Sequence, residues 1–216
     1  MNIAAFGCSF TWGSELTDPK LSWPHRLSCY LPVTIQNLGI RGASNRTIAR
    51  TLMTHLIDHR PDAVVIMWTY PGRYEFVVDN NNFIVTHCDS TIGLDQRSVP
   101  DYFNKFSQDF FRSVGTTDSA LVYESLMSIN HAQLLLESQE IPYIFSRVHD
   151  LESTDVCHSS VKQLFDFYAP NMLLFEGNSF EAYARKINSW GISHPLEQAQ
   201  DHVAQHIVKE LKKITN

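Results

Sequence analysis

The sequence predicts an α/β protein built on a parallel sheet with helices on both faces. Three observations predict it. Short, uninterrupted apolar runs recur along the chain, segments of helical period separate them, and polar residues collect just after the runs. A strand buried on both faces reads as a continuous apolar run, and parallel pairing requires a helical crossover between strands.

In order, "NIAAFG" (2–7) reads as a buried strand and "LSWPHRLSCYL" (21–31) as a short helix entered around Pro24. "VTIQNL" (33–38) is a second strand. "ASNRTIARTLMTHLIDH" (43–59) is a helix with Ser44 or Asn45 as N-cap, a core face of Ile48, Leu52, Leu56 and Ile57, and Pro61 just beyond its end. "DAVVIMW" (62–68) is the third strand. Residues 69–115 read as a long irregular insertion rich in Asn, Asp, Gly and aromatics, with a small hairpin around Asn80–Asn82. Helical period returns over 119–139, where Val122, Leu126, Ile129 and Leu136 line one face. "IPYIFSRV" (141–148) is the fourth strand, "NMLLF" (171–175) a fifth, and "FEAYARKI" (180–187) a short helix. The segment 195–214 is an amphipathic helix with the stripe Val203, Ile207, Leu211 and Ile214, and with Lys209, Lys212 and Lys213 toward the negative end of its dipole.

The length of 216 residues and the absence of repeats predict one domain over 1–216, with the insertion at 69–115. A net charge of −6 without a basic tract argues against nucleic acid as a partner. No run approaches the roughly 20 apolar residues of a membrane span, and no secretory signal opens the chain, so a cytoplasmic location is expected. Cys8, Cys29, Cys88 and Cys157 form no C-x-x-C pair and are expected to be reduced and mostly buried. His25, His149 and His158 lack ligand spacing, so no metal or other cofactor is expected.

In open parallel sheets ligands bind beyond the carboxyl ends of the strands. Gly7-Cys8-Ser9-Phe10-Thr11 follows the first strand here, and "NLGIRGASN" with Gly42 and Asn45 follows the second. "TYPGRYE" with Thr69 and Arg73 follows the third, "SRVHD" the fourth, and "WGISHP" with His194 precedes the last helix. A serine becomes nucleophilic when a base takes its proton, and its reaction needs N–H donors where the oxyanion forms. Ser9 in a tight turn, Gly42 in a Gly-rich loop and His194 before Pro195 offer those parts.

At these residues the chain resembles the SGNH, or GDSL-type, hydrolases. Their first block, Gly-Asp-Ser-x-(Ser/Thr)-x-Gly, corresponds to Gly7-Cys8-Ser9-Phe10-Thr11-Trp12-Gly13; a Gly after a strand corresponds to Gly42; and a His before Pro corresponds to His194-Pro195. A variant subgroup of phage and bacterial sequences, with "GCSFT-x-G", "G-x-SN" and "W-T-x-P-x-R", is closer still: the last is Trp68-Thr69-Tyr70-Pro71-Gly72-Arg73. The resemblance implies a flavodoxin-like, three-layer α/β/α sandwich with a five-stranded parallel sheet, and esterase, lipase or carbohydrate deacetylase activity without a metal. It implies Ser9 as nucleophile, His194 as base, and the N–H groups of Ser9 and Gly42 around the oxyanion, where Asn45 is a further candidate. Thr69, Arg73 and Trp12 fall to substrate binding, with Trp68 and Trp190 as further pocket candidates.

Two positions depart from the pattern. The stretch "MWTYPGR" lacks the Asn that serves as third oxyanion donor, leaving Thr69, Arg73 or Asn45 in its place. Gly191 stands where an Asp should orient the His, which leaves a Ser-His pair supported from elsewhere, as by a backbone carbonyl. The leading expectation is a serine hydrolase of a small ester, such as an O-acetyl group on a carbohydrate. The competing readings are a non-catalytic binding or structural protein, such as a phage virion component in an assembly, and a flavodoxin-like nucleotide binder, although no G-x-x-x-x-G-K-(S/T) is present.

Overall fold

The computed structural model describes residues 1–78, 82–87, 90–93, 101–113, 118–150 and 159–215. The first half runs β1 (Asn2–Gly7), α1 (Ser9–Trp12), α2 (Trp23–Tyr30), β2 (Thr34–Gly39), α3 (Asn45–Asp58) and β3 (Ala63–Trp68). The insertion holds β4 (Tyr74–Val78), β5 (Asn82–His87), β6 (Ser90–Gly93) and α4 (Asp101–Ser113). The chain then runs α5 (Asp118–Ser138), β7 (Tyr143–Arg147), α6 (Ser159–Tyr168), α7 (Phe180–Lys186) and α8 (Glu197–Ile214).

The central sheet is parallel in the order β2-β1-β3-β7. All six residues of β3 are buried, as an interior strand covered on both faces requires. Two helical layers flank the sheet, with α2 packed on α8 and α3 on α5. The expected fifth strand is reduced to one parallel bridge, Ser146 with Leu173. A 3₁₀ turn over Ala169–Asn171 ends just before it, and left-handed Glu176 and Gly177 turn the chain just after, so no second pair can form.

Ser44 caps α3: its Oγ accepts the Thr47 N–H, and the Ser44 N–H is returned to Thr47 Oγ1, a reciprocal cap worth about 1 kcal/mol. Ile48, Leu52 and Leu56 are buried, but Ile57 is 78% exposed. Nine residues separate Ile57 from Ile48, which at about 100° per residue puts it on the opposite side of the helix. The α5 stripe Val122, Leu126, Ile129 and Leu136 is buried as expected. In α8, Val203, Ile207 and Leu211 are buried and terminal Ile214 is half exposed.

The insertion is more regular than its composition implies. β4, β5 and β6 form an antiparallel sheet, with Tyr74 paired to Thr86 and Val78 to Asn82, which gives the expected hairpin; its turn residues 79–81 lie outside the described residues. Phe76 of β4 packs on Phe103, Phe106 and Phe110 of α4. The aromatics that read as irregular are the small core joining these two elements. Glu75, buried beneath, accepts from Arg50 at 2.9 Å and from the Thr47 hydroxyl at 2.6 Å, which ties the insertion to α3.

Cys8 is buried and Cys29 exposed, on the outer side of α2; Cys88, Cys157 and His158 lie outside the described residues. Among the described residues no helix is long and apolar enough to cross a membrane, and no cluster of His, Cys, Asp and Glu could hold a metal ion.

Candidate active site

Strand order places the crevice. From β1 the chain crosses to β2 on one side and then to β3 on the other, so the connections diverge beyond the carboxyl ends of β1 and β3. Ser9 stands there, as the first residue of α1. Gly7 makes the turn possible: a Cβ at that position would lie 2.0 Å from Thr11 Oγ1, so only glycine lets Thr11 fold back beneath the turn. Cys8 O accepts the N–H groups of Thr11 and Trp12, both at 3.0 Å. Asn37 Nδ2, at the end of β2, donates to Thr11 O at 2.9 Å. Gln200 of α8 donates to Phe10 O at 3.2 Å and accepts from Trp23 N at 2.8 Å. The Ser9 turn is thereby tied to β2, α2 and α8 at once. Ser9 is 6% exposed.

His194 comes from the loop ahead of α8. Gly191 N donates to His194 O at 2.8 Å and Leu196 N to Ser189 O at 3.0 Å, which closes a tight loop over 189–196. The Phe10 ring packs on the imidazole at a centroid distance of 5.4 Å. Ser9 and His194 line one cavity of about 980 Å³ together with Gly42, Arg73 and Trp12. No hydrogen bond joins Ser9 to His194 here; such contacts commonly tighten only when substrate is bound.

The cavity also holds a residue that no motif pointed to. Glu15 Oε1 lies 2.8 Å from His194 Nδ1. The same carboxylate accepts the Ile192 N–H at 2.7 Å, the Ser193 N–H at 3.1 Å and the Ser193 hydroxyl at 2.6 Å. These donors, His194 first and Ser193 second, hold its acid down from the ordinary 4.5 to about 2. An ionised carboxylate only accepts, so Nδ1 carries the ring hydrogen and Nε2 is left as the basic nitrogen. The carboxylate reaches this place because Glu15 adopts a left-handed conformation, φ +66°, just after Gly13 at φ +94°. Gly191 leaves it room: a Cβ there would lie 2.4 Å from Glu15 Oε2. The backbone-carbonyl support expected for His194 is thus replaced by a carboxylate 179 residues away in sequence.

The other expected site residues divide. Gly42 is buried on the cavity wall with φ +78°, and among the described residues no acceptor takes its N–H or that of Ser9. Trp12 is 42% exposed on the same wall. Arg73 is half-buried: its Nη1 donates to Ala43 O and to Thr69 Oγ1, both at 3.1 Å, and its guanidinium lies 5.1 Å from the Tyr70 ring centroid. Thr69 and Asn45 are buried outside the cavity lining. Asn45 Nδ2 donates to Thr69 O at 3.1 Å and to Ser125 Oγ at 3.0 Å, and its Oδ1 accepts the Thr69 N–H at 2.7 Å. Its amide clamps the end of β3, and with it the partner of Arg73. Trp68 is core, edge-on to Phe145, and Trp190 lies beneath Arg185; neither lines the cavity.

Solved structures share this arrangement of strands and helices. The psychrotrophic esterase EstA from Pseudoalteromonas sp., inhibited by monoethylphosphonate, superposes with TM-score 0.57 at 14% identity, covering 98% of this chain and 97% of that one. A member of the lipolytic G-D-S-L family from Veillonella parvula gives 0.55 at 14% identity over 99% of both chains. The fold is that of the G-D-S-L esterases. A two-domain esterase active on acetylated mannans has the same fold in half of its length, with TM-score 0.51 and 15% identity over 100% of this chain and 50% of that one. No family model matches the chain, and no curated protein matches it by sequence. The G-D-S-L fold carries four strands and a bridge here, where five strands were expected.

Proposed function

We propose that the protein is a serine esterase of the SGNH type that removes a small acyl group, acetyl on a carbohydrate hydroxyl, through an acyl-enzyme. The observation that carries this reading is the Glu15 carboxylate 2.8 Å from His194 Nδ1, in the cavity that Ser9 lines. A carboxylate so placed fixes the imidazole tautomer and stabilises the imidazolium that forms during proton transfer. In the first half-reaction Ser9 Oγ attacks the ester carbonyl and His194 Nε2 takes its proton. The N–H groups of Ser9 and Gly42 receive the oxyanion. His194 then protonates the departing alcohol. A water attacks the acyl-Ser9 carbonyl, gives its proton to His194, and releases the acid as Ser9 recovers its proton.

Asn45, expected beside the oxyanion, acts in this reading one step behind it by holding Thr69 and so Arg73. The activity on acetylated mannans of one protein of this fold supports a carbohydrate ester, and the "GCSFT" and "WTYPGR" stretches support the phage-and-bacterial subgroup. The test is hydrolysis of 4-nitrophenyl acetate together with covalent labelling by a fluorophosphonate. Activity and labelling are expected in the wild type and should be lost in Ser9→Ala; His194→Ala should lose activity. Unchanged activity in both variants would sink the mechanism. A wild type that neither hydrolyses nor labels would favour a non-catalytic binding or virion role.

A further inference from the structure

We infer that the cavity takes an acetyl ester of an acidic saccharide, a sugar bearing a carboxylate near the acetylated hydroxyl. This deepens the esterase reading and rests on it for the position of the ester. The observation is a mismatch of charge. The protein is acidic, at −6 overall, yet Arg41 and Arg73 line the cavity and neither has a carboxylate partner among the described residues. Four other arginines face carboxylates, Arg26 with Asp201, Arg50 with Glu75, Arg147 with Asp150 and Arg185 with Glu181, whereas Arg46, Arg60 and Arg112 have none among the described residues and, like Arg41, are exposed; Arg73 differs from these in being half-buried on the cavity wall. Among the described lining residues Glu15 is the one acid; it is engaged by His194, Ser193 and the Ile192 N–H and offsets one of the two positive charges, which leaves the wall net cationic.

Arg73 is the more telling of the pair. A half-buried guanidinium without a counter-ion bears a desolvation cost that an arriving anion would offset. Its Nη1 is held by Ala43 O and Thr69 Oγ1, so the fork is oriented before anything binds. Ala43 follows Gly42, which places this cation beside the oxyanion loop. Arg41 precedes Gly42 and is exposed at the rim, where a cation steers an anionic ligand inward.

The size of the cavity assigns the anion to the alcohol half of the ester. An acetyl group fills only a small part of about 980 Å³, and the rest is available to what the acetyl group is attached to. The exposed face of Trp12 on the same wall offers an apolar platform for the C–H face of a sugar ring.

The experiment compares deacetylation of acetylated oligogalacturonate with that of acetylated manno-oligosaccharide of equal length. The acidic substrate is expected to show kcat/KM about tenfold higher or more at low salt, a preference that shrinks in about 0.5 M salt. Arg41→Glu and Arg73→Gln should each lower the ratio of the two rates by about tenfold. Equal rates on the two saccharides, or a ratio indifferent to both substitutions, would overturn the inference. A marked preference for 4-nitrophenyl hemisuccinate over 4-nitrophenyl acetate, without one for the uronate, would overturn the placement of the anion on the alcohol half. Binding of unacetylated oligogalacturonate to the Ser9→Ala protein, read by calorimetry, separates this inference from the chemistry. Salt-sensitive binding there supports the anion site even in a protein that hydrolyses nothing, and no preference over the manno-oligosaccharide counts against it.

Discussion

Glu15 and Gly191 occupy one space, and a double-mutant cycle can show it. A methyl group at 191 would meet Glu15 Oε2 at 2.4 Å, well inside contact distance, so Gly191→Ala must shift that oxygen by roughly 1 Å, and the expected outcome is a carboxylate displaced from its seat against His194. A misplacement of that order in a catalytic array costs about 10²-fold. Gly191 has no positive φ to forfeit, so the cost comes from contact and not from backbone strain. Glu15→Ala removes the carboxylate outright, and loss of the orienting acid in a Ser-His-acid system costs about 10⁴-fold, or ~5.4 kcal/mol. In the Glu15→Ala background the methyl at 191 has nothing to displace. The double variant is therefore expected to be no slower than Glu15→Ala alone, a coupling of about 2.7 kcal/mol. The assay is kcat/KM on 4-nitrophenyl acetate for all four proteins, with the ¹⁵N shifts of the His194 ring as a readout of tautomer. Wild type and Gly191→Ala should differ at Nδ1, and Glu15→Ala should lose its tautomer preference. A third substitution tests sufficiency: Gly191→Asp with Glu15→Ala delivers a carboxylate into the vacated space and should recover at least about tenfold of the lost rate. Additive losses in the cycle, or a Glu15→Ala protein within about threefold of wild type, would refute the reasoning.

Other outcomes follow from the same geometry. The Glu15 acid is depressed, so the stability it contributes is present above the ordinary 4.5 and is lost as pH falls toward about 2; its carboxyl ¹³C signal should titrate near that value, and the contact to His194 should persist at pH about 4. Asn45→Ala leaves the Thr69 N–H and C=O without a buried partner and should lower stability by about 2–4 kcal/mol in urea unfolding, with less effect on the 4-nitrophenyl acetate rate of the folded fraction than Ser9→Ala has. Gly7→Ala brings a methyl within 2.9 Å of Thr11 Cβ and 3.0 Å of Met67 O, and should cost about 1–3 kcal/mol while shifting Ser9 enough to slow fluorophosphonate labelling.

Much of the fold was legible because its signals are local. β3 announces itself as six buried residues in a row, and the α5 stripe repeats at helical spacing within one segment. The same locality explains the misses. Ile57 sits next to Leu56 in sequence but on the far side of α3. The 171–175 run is apolar enough for a strand, yet its length is limited by turns on either side. In the insertion, Phe76 and the α4 phenylalanines make a core only with one another, so their spacing along the chain looks irregular until β4 and α4 are brought together.

The site divides along the same line. Ser9, Gly42 and His194 each sit in a short motif at the end of an element, where sequence can find them. Glu15 does not: it is one acid among many, and only the fold brings it within reach of His194. Gly191 then changes meaning. On the sequence it is a missing carboxylate; in the structure its missing side chain is what admits one. A catalytic carboxylate needs only to reach Nδ1, and the chain segment that supplies it is free to vary provided the space is kept open. In the proposed mechanism an acid at 191 and an acid at 15 are therefore alternatives, since a Cβ at 191 would meet Glu15 Oε2 at 2.4 Å and displace it. Sequence comparison position by position scores the first change as a loss and passes over the second. A search for acids within reach of the imidazole recovers both.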